Sequence, residues 1–261
     1  MAESETGAET GLPASLEMAW GLRERPVKGP RPALTLDRII DAAVRLAAAE
    51  GIEAVSMGRV AKELGASTMS LYRYVAAKEE LYILMADAGV GSPPPLPEAA
   101  ADWDWRELIG AWARMQRTVL QAAPWILRIP VTGPPASPNE VAWMERGLAA
   151  LAGTGLREDE KLATLMLVGG FVRNEAMLRA DLTEAIAAGG LSPDQVLGGY
   201  QRTLRALTGP DRHPAVTRLL DSGVFAAGDD PDFEFRFGLE RLLDGLAALV
   251  GERQRPAAPA D

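Results

Sequence analysis

Six hydrogen-bonding side chains fall within eight residues: Ser67, Thr68, Ser70, Tyr72, Arg73 and Tyr74. Hydroxyls bind phosphate oxygens and base edges, and an arginine fork matches the O6/N7 edge of guanine, so this set has the chemistry of a duplex reader. Position supports the same reading. Ser67 is suited to cap a short helix whose inward pair is Leu71 and Val75, four residues apart. That register turns Ser70, Arg73 and Tyr74 outward, leaves Tyr72 at the edge, and puts Thr68 in the first turn, the end that enters a major groove. Tyr72 is also partly suited to a core, and Lys78, which starts the next helix, could equally be a solvated first-turn residue.

Other chemistries are poorly supplied. The 261 residues contain no cysteine and one histidine, His213, so thiolate metal sites and histidine clusters are excluded, and His213 reads as a surface-turn residue. No GxGxxG, P-loop or GxSxG pattern occurs. The densest carboxylate cluster, Glu158-Asp159-Glu160, reads as a charged helix start rather than an acid–base pair. Neither enzyme activity nor a cofactor or metal is expected. The longest apolar run, residues 165–172, is far short of the ~18 that a membrane span needs. The first ten residues lack a signal pattern, so the expectation is a cytoplasmic protein without a membrane partner.

The positioning elements follow from periodicity. Leu36, Ile39, Ile40, Ala43, Leu46 and Ala47 mark one face of a helix capped by Thr35 and stopped by Gly51. Ser56 starts a second helix, with Val60, Ala61 and Leu64 inward and Gly65 at its end. Gly65-Ala66-Ser67 leads into the third, which makes a helix-turn-helix. A fourth spans about 78–88. After the proline run 93–97, the chain reads as helices at about 103–123, 137–152, 157–188, 192–207 and 230–253, with no convincing strand pattern. The expected class is all-α: a disordered tail and basic arm over 1–33, a helix-turn-helix domain over 34–90, and a larger helical ligand-binding and dimerisation domain over 97–255.

Net charge is −9, which disfavours general polyanion binding, and residues 32–90 hold six bases against eight acids. The arm differs. Arg23, Arg25, Lys28 and Arg31 face only Glu24 between residues 22 and 31. This proline-stiffened segment is either a phosphate-binding arm or a solvated linker.

Residues 36–88 resemble the N-terminal DNA-binding domain of TetR-family repressors, most clearly in AAVRLAAAEG, SMGRVAKELGAS and LYRYVAAKEEL. Residues 103–250 are similar, more weakly, to the tetracycline-repressor-type C-terminal domain, through PWILRIP and SPNEVAWMERGLAALAGTGL. The arm WGLRERPVKGPRPALT resembles extensions ahead of that domain in some members. The resemblance implies an all-α homodimer that binds a palindromic double-stranded operator and is released by a small-molecule effector. It implies base-edge and phosphate contacts for Ser67, Thr68 and Ser70, backbone contacts for Tyr72 and Tyr74, and a phosphate for Lys78. Family members often carry a DNA-contacting arginine near the start of the second helix. This chain has Gly58 there, with Arg59 as a substitute beside it. Dimerisation in the family uses the eighth and last helices, here 157–188 and 231–253.

The second half offers material for an apolar pocket. Trp112, Met115, Trp143, Met144 and Met166 are candidates for its wall, with Arg128 or Asn174 as a polar anchor; each tryptophan and methionine could equally be core. Gly169-Gly170 inside a helix costs about 1 kcal/mol per glycine, which calls for close approach of a helix or a ligand. Leu239, Leu242, Leu243, Leu246 and Leu249 form a stripe fit for dimerisation or for intrachain packing. The rival to a ligand-responsive regulator is a helical ligand-binding or scaffold protein without DNA binding.

Overall fold

Three hydroxyl caps start the helices of the N-terminal unit. Thr35 accepts the amide of Arg38, Ser56 that of Arg59 and Ser67 that of Ser70, each at 3.2 Å. The computed structural model describes residues 12, 14–22, 34–131, 133–225, 230 and 232–255. Eleven α-helices and no strand occur among the described residues. Helix α1 is Ala14–Ala19, α2 Leu36–Glu50, α3 Met57–Glu63, α4 Thr68–Leu71 and α5 Lys78–Val90. Gly51 and Gly65 take positive φ at the exits of α2 and α3, a conformation that side chains resist. Ile39, Ala43, Val60, Leu71, Val75 and Leu81 then close one core, in which Leu71 and Val75 are 0% exposed.

The larger unit contains α6 (Trp105–Ala122), α7 (Pro138–Ala150), α8 (Glu158–Gly189), α9 (Pro193–Leu207), α10 (Pro214–Asp221) and α11 (Phe233–Arg253). Asp104 and Glu107 form a capping box on α6, and Ser192 and Gln195 form one on α9. Helices α6, α7, α8 and α11 pack together. Of the leucine stripe on α11, Leu239, Leu243 and Leu246 are buried within the chain. Intrachain packing therefore takes most of it, and Leu242 and Leu249 are half-buried. Arg117, 8% exposed, joins α6 to α8 and to the start of α11 through Glu175 and Asp232 at 2.9 and 2.8 Å.

Two stretches differ from expectation. Residues 14–19 are helical although their composition reads as disordered; α1 packs on α5, and the Trp20 indole donates to the carbonyl of Ala136 at 2.8 Å. Tertiary contact supplies what local composition lacks. Helix α10 begins at Pro214 in a stretch with no expected element, and His213, which precedes it, is half-buried with its Nδ1 enclosed and without a hydrogen-bond partner among the described residues. Residues 23–33, with Arg31 and the other arm bases, lie outside the described residues.

Candidate functional site

The duplex-reading set is brought together on and around α4. Thr68 stands in its first turn, and Arg73 and Tyr72 are exposed beyond its end. The Ser67 and Ser70 hydroxyls share one hydrogen bond of 2.8 Å, so one of their two protons is free for an acceptor on DNA. Tyr74 is placed differently from its expected role. Its hydroxyl donates to the carbonyl of Leu34 at 2.9 Å. A phosphate oxygen only accepts, so in this DNA-free arrangement the Tyr74 proton is committed to the chain entering α2. Met69, absent from the expected set, is 74% exposed on the same turn. The register that buries Leu71 puts Met69 on the opposite side, a signal already present in the sequence.

Arg59 and Lys78 flank this surface. Arg59 pairs with Glu50 at 2.7 Å, both about half exposed. Such a pair contributes roughly 0–1 kcal/mol, less than a charged phosphate contact, so it leaves the guanidinium available. Gly58 is exposed and a Cβ there would meet nothing within 4 Å. The Lys78 ammonium lies 4.9 Å from the centre of the Tyr82 ring, one turn along α5.

Helix α5 leads from this surface to a cavity. The helix begins after the connecting residues 72–77 that follow α4, and its Ile83, Ala86 and Val90 form one wall of a cavity of about 770 Å³. Trp112, Gln116, Val119 and Leu120 of α6 form a second wall, and Trp143 and Met144 of α7 a third. Met166, Gly169, Gly170 and Arg173 of α8 and Leu16 of α1 also line it. Trp112 and Trp143 are buried and linked, the indole of Trp112 donating to the carbonyl of Trp143 at 2.9 Å. Met166 of this lining is 72% exposed.

Four of the seven expected pocket residues thus border the cavity: Trp112, Trp143, Met144 and Met166. Met115 packs against the core and Asn174 is exposed, both outside the lining. Arg128 is also outside, paired with Asp181 and Glu184. The polar groups on the wall include Ser137 and Glu140 of the α7 start, and Gln116 and Arg173, which are each one position away from an expected residue. Helical phase could have found the latter two. Gln116 is four residues from Trp112, and Arg173 is seven from Met166, the spacing of a shared face.

Helices α5 and α7 are fastened beside the cavity. The Asn139 amide donates to Asp87 Oδ1 at 2.8 Å, and its side-chain nitrogen to Asp87 Oδ2 and the Asp87 carbonyl at 3.0 Å. The Trp143 indole donates to the carbonyl of Gly91 at 2.9 Å. A Cβ on Gly89 would lie 2.6 Å from the Trp125 ring, so α5 also meets the Pro124–Arg128 turn at minimal distance.

A helix-turn-helix unit joined by one helix to a ligand-sized cavity defines a ligand-controlled DNA-binding regulator. Residues 39–85 match the family described as "Bacterial regulatory proteins, tetR family", and residues 96–250 match "Tetracyclin repressor-like, C-terminal domain". The chain is 36% identical over 257 residues to the HTH-type transcriptional repressor DrrR1 of Streptomyces coeruleorubidus, covering 98% of this chain and 93% of that one. It is 31% identical over 251 residues to an HTH-type transcriptional regulator of Saccharopolyspora erythraea, covering 96% and 98% respectively. The crystal structure of the Streptomyces coelicolor TetR family protein ActR in complex with actinorhodin superposes with a TM-score of 0.68 at 30% identity, covering 85% of this chain and 99% of that one. The chain belongs to the TetR family and is a ligand-responsive transcriptional repressor. Nothing in these likenesses supports a scaffold protein without DNA binding. No helix among the described residues is long and apolar enough to cross a membrane.

Proposed function

We propose that the protein binds a palindromic operator as a homodimer and is released by a small, flat aromatic effector held in the cavity bordered by α5. In this reading Thr68, Ser70 and Arg73 meet base edges, with Met69 against a thymine methyl. Ser67, Tyr72, Arg59 and Lys78 meet phosphates, Arg31 and its neighbours extend that contact, and Tyr74 positions the arm's exit. A two-fold dimer must hold its recognition helices about 34–36 Å apart to engage successive major grooves. Exposed apolar residues on α8 and α11, among them Leu167, Leu178 and Phe237, supply material for the dimer contact.

The observation that carries this reading is the dual use of α5. One end adjoins the DNA-reading turn and the other is cavity wall, fastened to α7 by Asp87–Asn139. A ligand that packs better against a shifted α5 moves the reading head and weakens operator binding by its differential affinity, typically ~1–3 kcal/mol. Tryptophans on two walls favour a flat aromatic partner. The ActR–actinorhodin complex supports a small-molecule effector.

The test combines light scattering on the purified chain with mobility shift on the DNA upstream of its own gene, with and without aromatic compounds. A dimer whose shift is reversed by an aromatic compound is expected. A strict monomer, or indifference to the fragment, counts against the reading.

A further inference from the structure

Two charged side chains border the cavity, Glu140 and Arg173, and they are differently engaged. Glu140 is occupied at the start of α7, where its Oε2 accepts from the Ser137 amide at 3.3 Å and hydroxyl at 2.8 Å. Arg173 donates one hydrogen bond, to the carbonyl of Leu127 at 3.1 Å. A guanidinium carries five N–H donors, and among the described residues no carboxylate pairs with this one. Burial alone acts on it, pulling its pKa below the usual arginine value. The other arginines of this helical unit near the core contrast with it. Arg117 is matched by Glu175 and Asp232, and Arg106 by Glu240 and Asp244. A half-buried cation without an acid partner is costly unless something else supplies the negative charge.

The helix that carries Arg173 also shapes the floor. Met166, Gly169, Gly170 and Arg173 share one face at spacings of three, four and seven residues. A Cβ at Gly169 would stand 3.6 Å from the Trp112 ring, and one at Gly170 would meet nothing within 4 Å. The glycine pair therefore leaves bare backbone on this face, with Gly169 beside Trp112, and Arg173 stands about one helical turn further on. Helix packing needs the missing side chain at neither position, since both would clear their neighbours. Gly170 is exposed and borders the cavity, so its missing side chain leaves that part of the rim open.

We infer that the effector is an aromatic acid, whose ring system lies along Gly169–Gly170 beside Trp112 and whose carboxylate pairs with the Arg173 guanidinium. This rests on the aromatic-effector reading above and adds the charge. Planar bidentate pairing suits arginine, and the low-dielectric wall strengthens it.

The probes are anthraquinone-2-carboxylate and its uncharged methyl ester, with binding to the full chain followed by tryptophan fluorescence at neutral pH. The native chain should bind the acid about ten- to a hundredfold more tightly than the ester, the range of one charge-assisted contact. Arg173→Gln should bring the two affinities to within about threefold by weakening the acid alone, whereas Arg173→Lys should keep a preference for the acid. Gly170→Leu should remove binding of both compounds. Thermal melting by circular dichroism identifies any variant that has not folded, in which case the acid-to-ester ratio of the native chain and of Arg173→Lys decides. Equal affinity of the native chain for acid and ester overturns the inference and leaves the aromatic reading intact. Equal weakening of both compounds by Arg173→Gln overturns it too. If neither compound binds the native chain, the aromatic reading falls and the charge assignment with it.

Discussion

The Tyr74 hydroxyl donates to the Leu34 carbonyl at 2.9 Å, joining the turn after α4 to the point where the basic arm enters the folded unit. Forty residues of sequence separation are closed by one hydrogen bond, worth about 0.5–1.5 kcal/mol net. Tyr74→Phe should therefore weaken operator binding about two- to tenfold. Replacing Arg23, Arg25, Lys28 and Arg31 by alanine should weaken it further and reduce the salt slope by about 0.9 for each phosphate that is no longer neutralised. If Tyr74 acts by aiming the arm, the phenylalanine variant adds little to the alanine variant. Fluorescence anisotropy at several salt concentrations measures all four proteins, and additive effects would refute the link.

Asn139 carries the bond between the cavity and the DNA-reading unit. Asn139→Ala removes the side-chain donor to Asp87 and leaves the main-chain donor in place. Effector binding should persist, while the effector's power to release operator should fall by about 1 kcal/mol of coupling, roughly fivefold. Titrating the effector against a protein–operator complex reads this directly. An unchanged release curve would place the coupling elsewhere.

Two glycines in neighbouring helices should respond in opposite directions to the same methyl group. Gly58 on α3 is exposed with open space around its Cβ, so Gly58→Ala should stabilise by about 0.5–1 kcal/mol through helix propensity. Gly89 on α5 would press a methyl to 2.6 Å from Trp125, so Gly89→Ala should destabilise by about 1–3 kcal/mol. Urea denaturation of both variants tests the contrast, and a stabilised Gly89→Ala would contradict the packing of α5.

Acid should loosen the larger unit. The Arg117 guanidinium holds the Asp232 carboxyl below the ordinary aspartate range, and Arg253 does the same to Glu160. A depressed folded pKa contributes stability that is complete above the unfolded value, about 4, and is lost as pH falls through the lower folded value. The melting temperature should be flat between pH 7 and 5 and fall below about pH 4. Asp232→Asn should make that acid limb shallower, and an identical limb in the variant would dismiss this ion pair as the cause.

Local rules made the helices legible. Thr35, Ser56 and Ser67 each stand one residue before a helix because their oxygens satisfy an amide that the helix itself cannot. The four-residue gap between Leu71 and Val75 likewise determined which side of α4 and of the turn after it is left exposed, since one side had to be buried. Those signals lie within a turn or two of chain, so the linear order of residues carries them in full. The three-dimensional packing decided the rest. Arg173, and not its neighbour Asn174, enters the cavity because the roll of α8 about its axis is set by contact with α6 and α11, and a rotation of about 100° separates adjacent residues. The partners of Arg59 and Tyr74 came from the same source, as did the helical state of residues 14–19. Each depends on a surface contributed by residues far away in the chain, and no periodicity within a segment encodes what that surface will be.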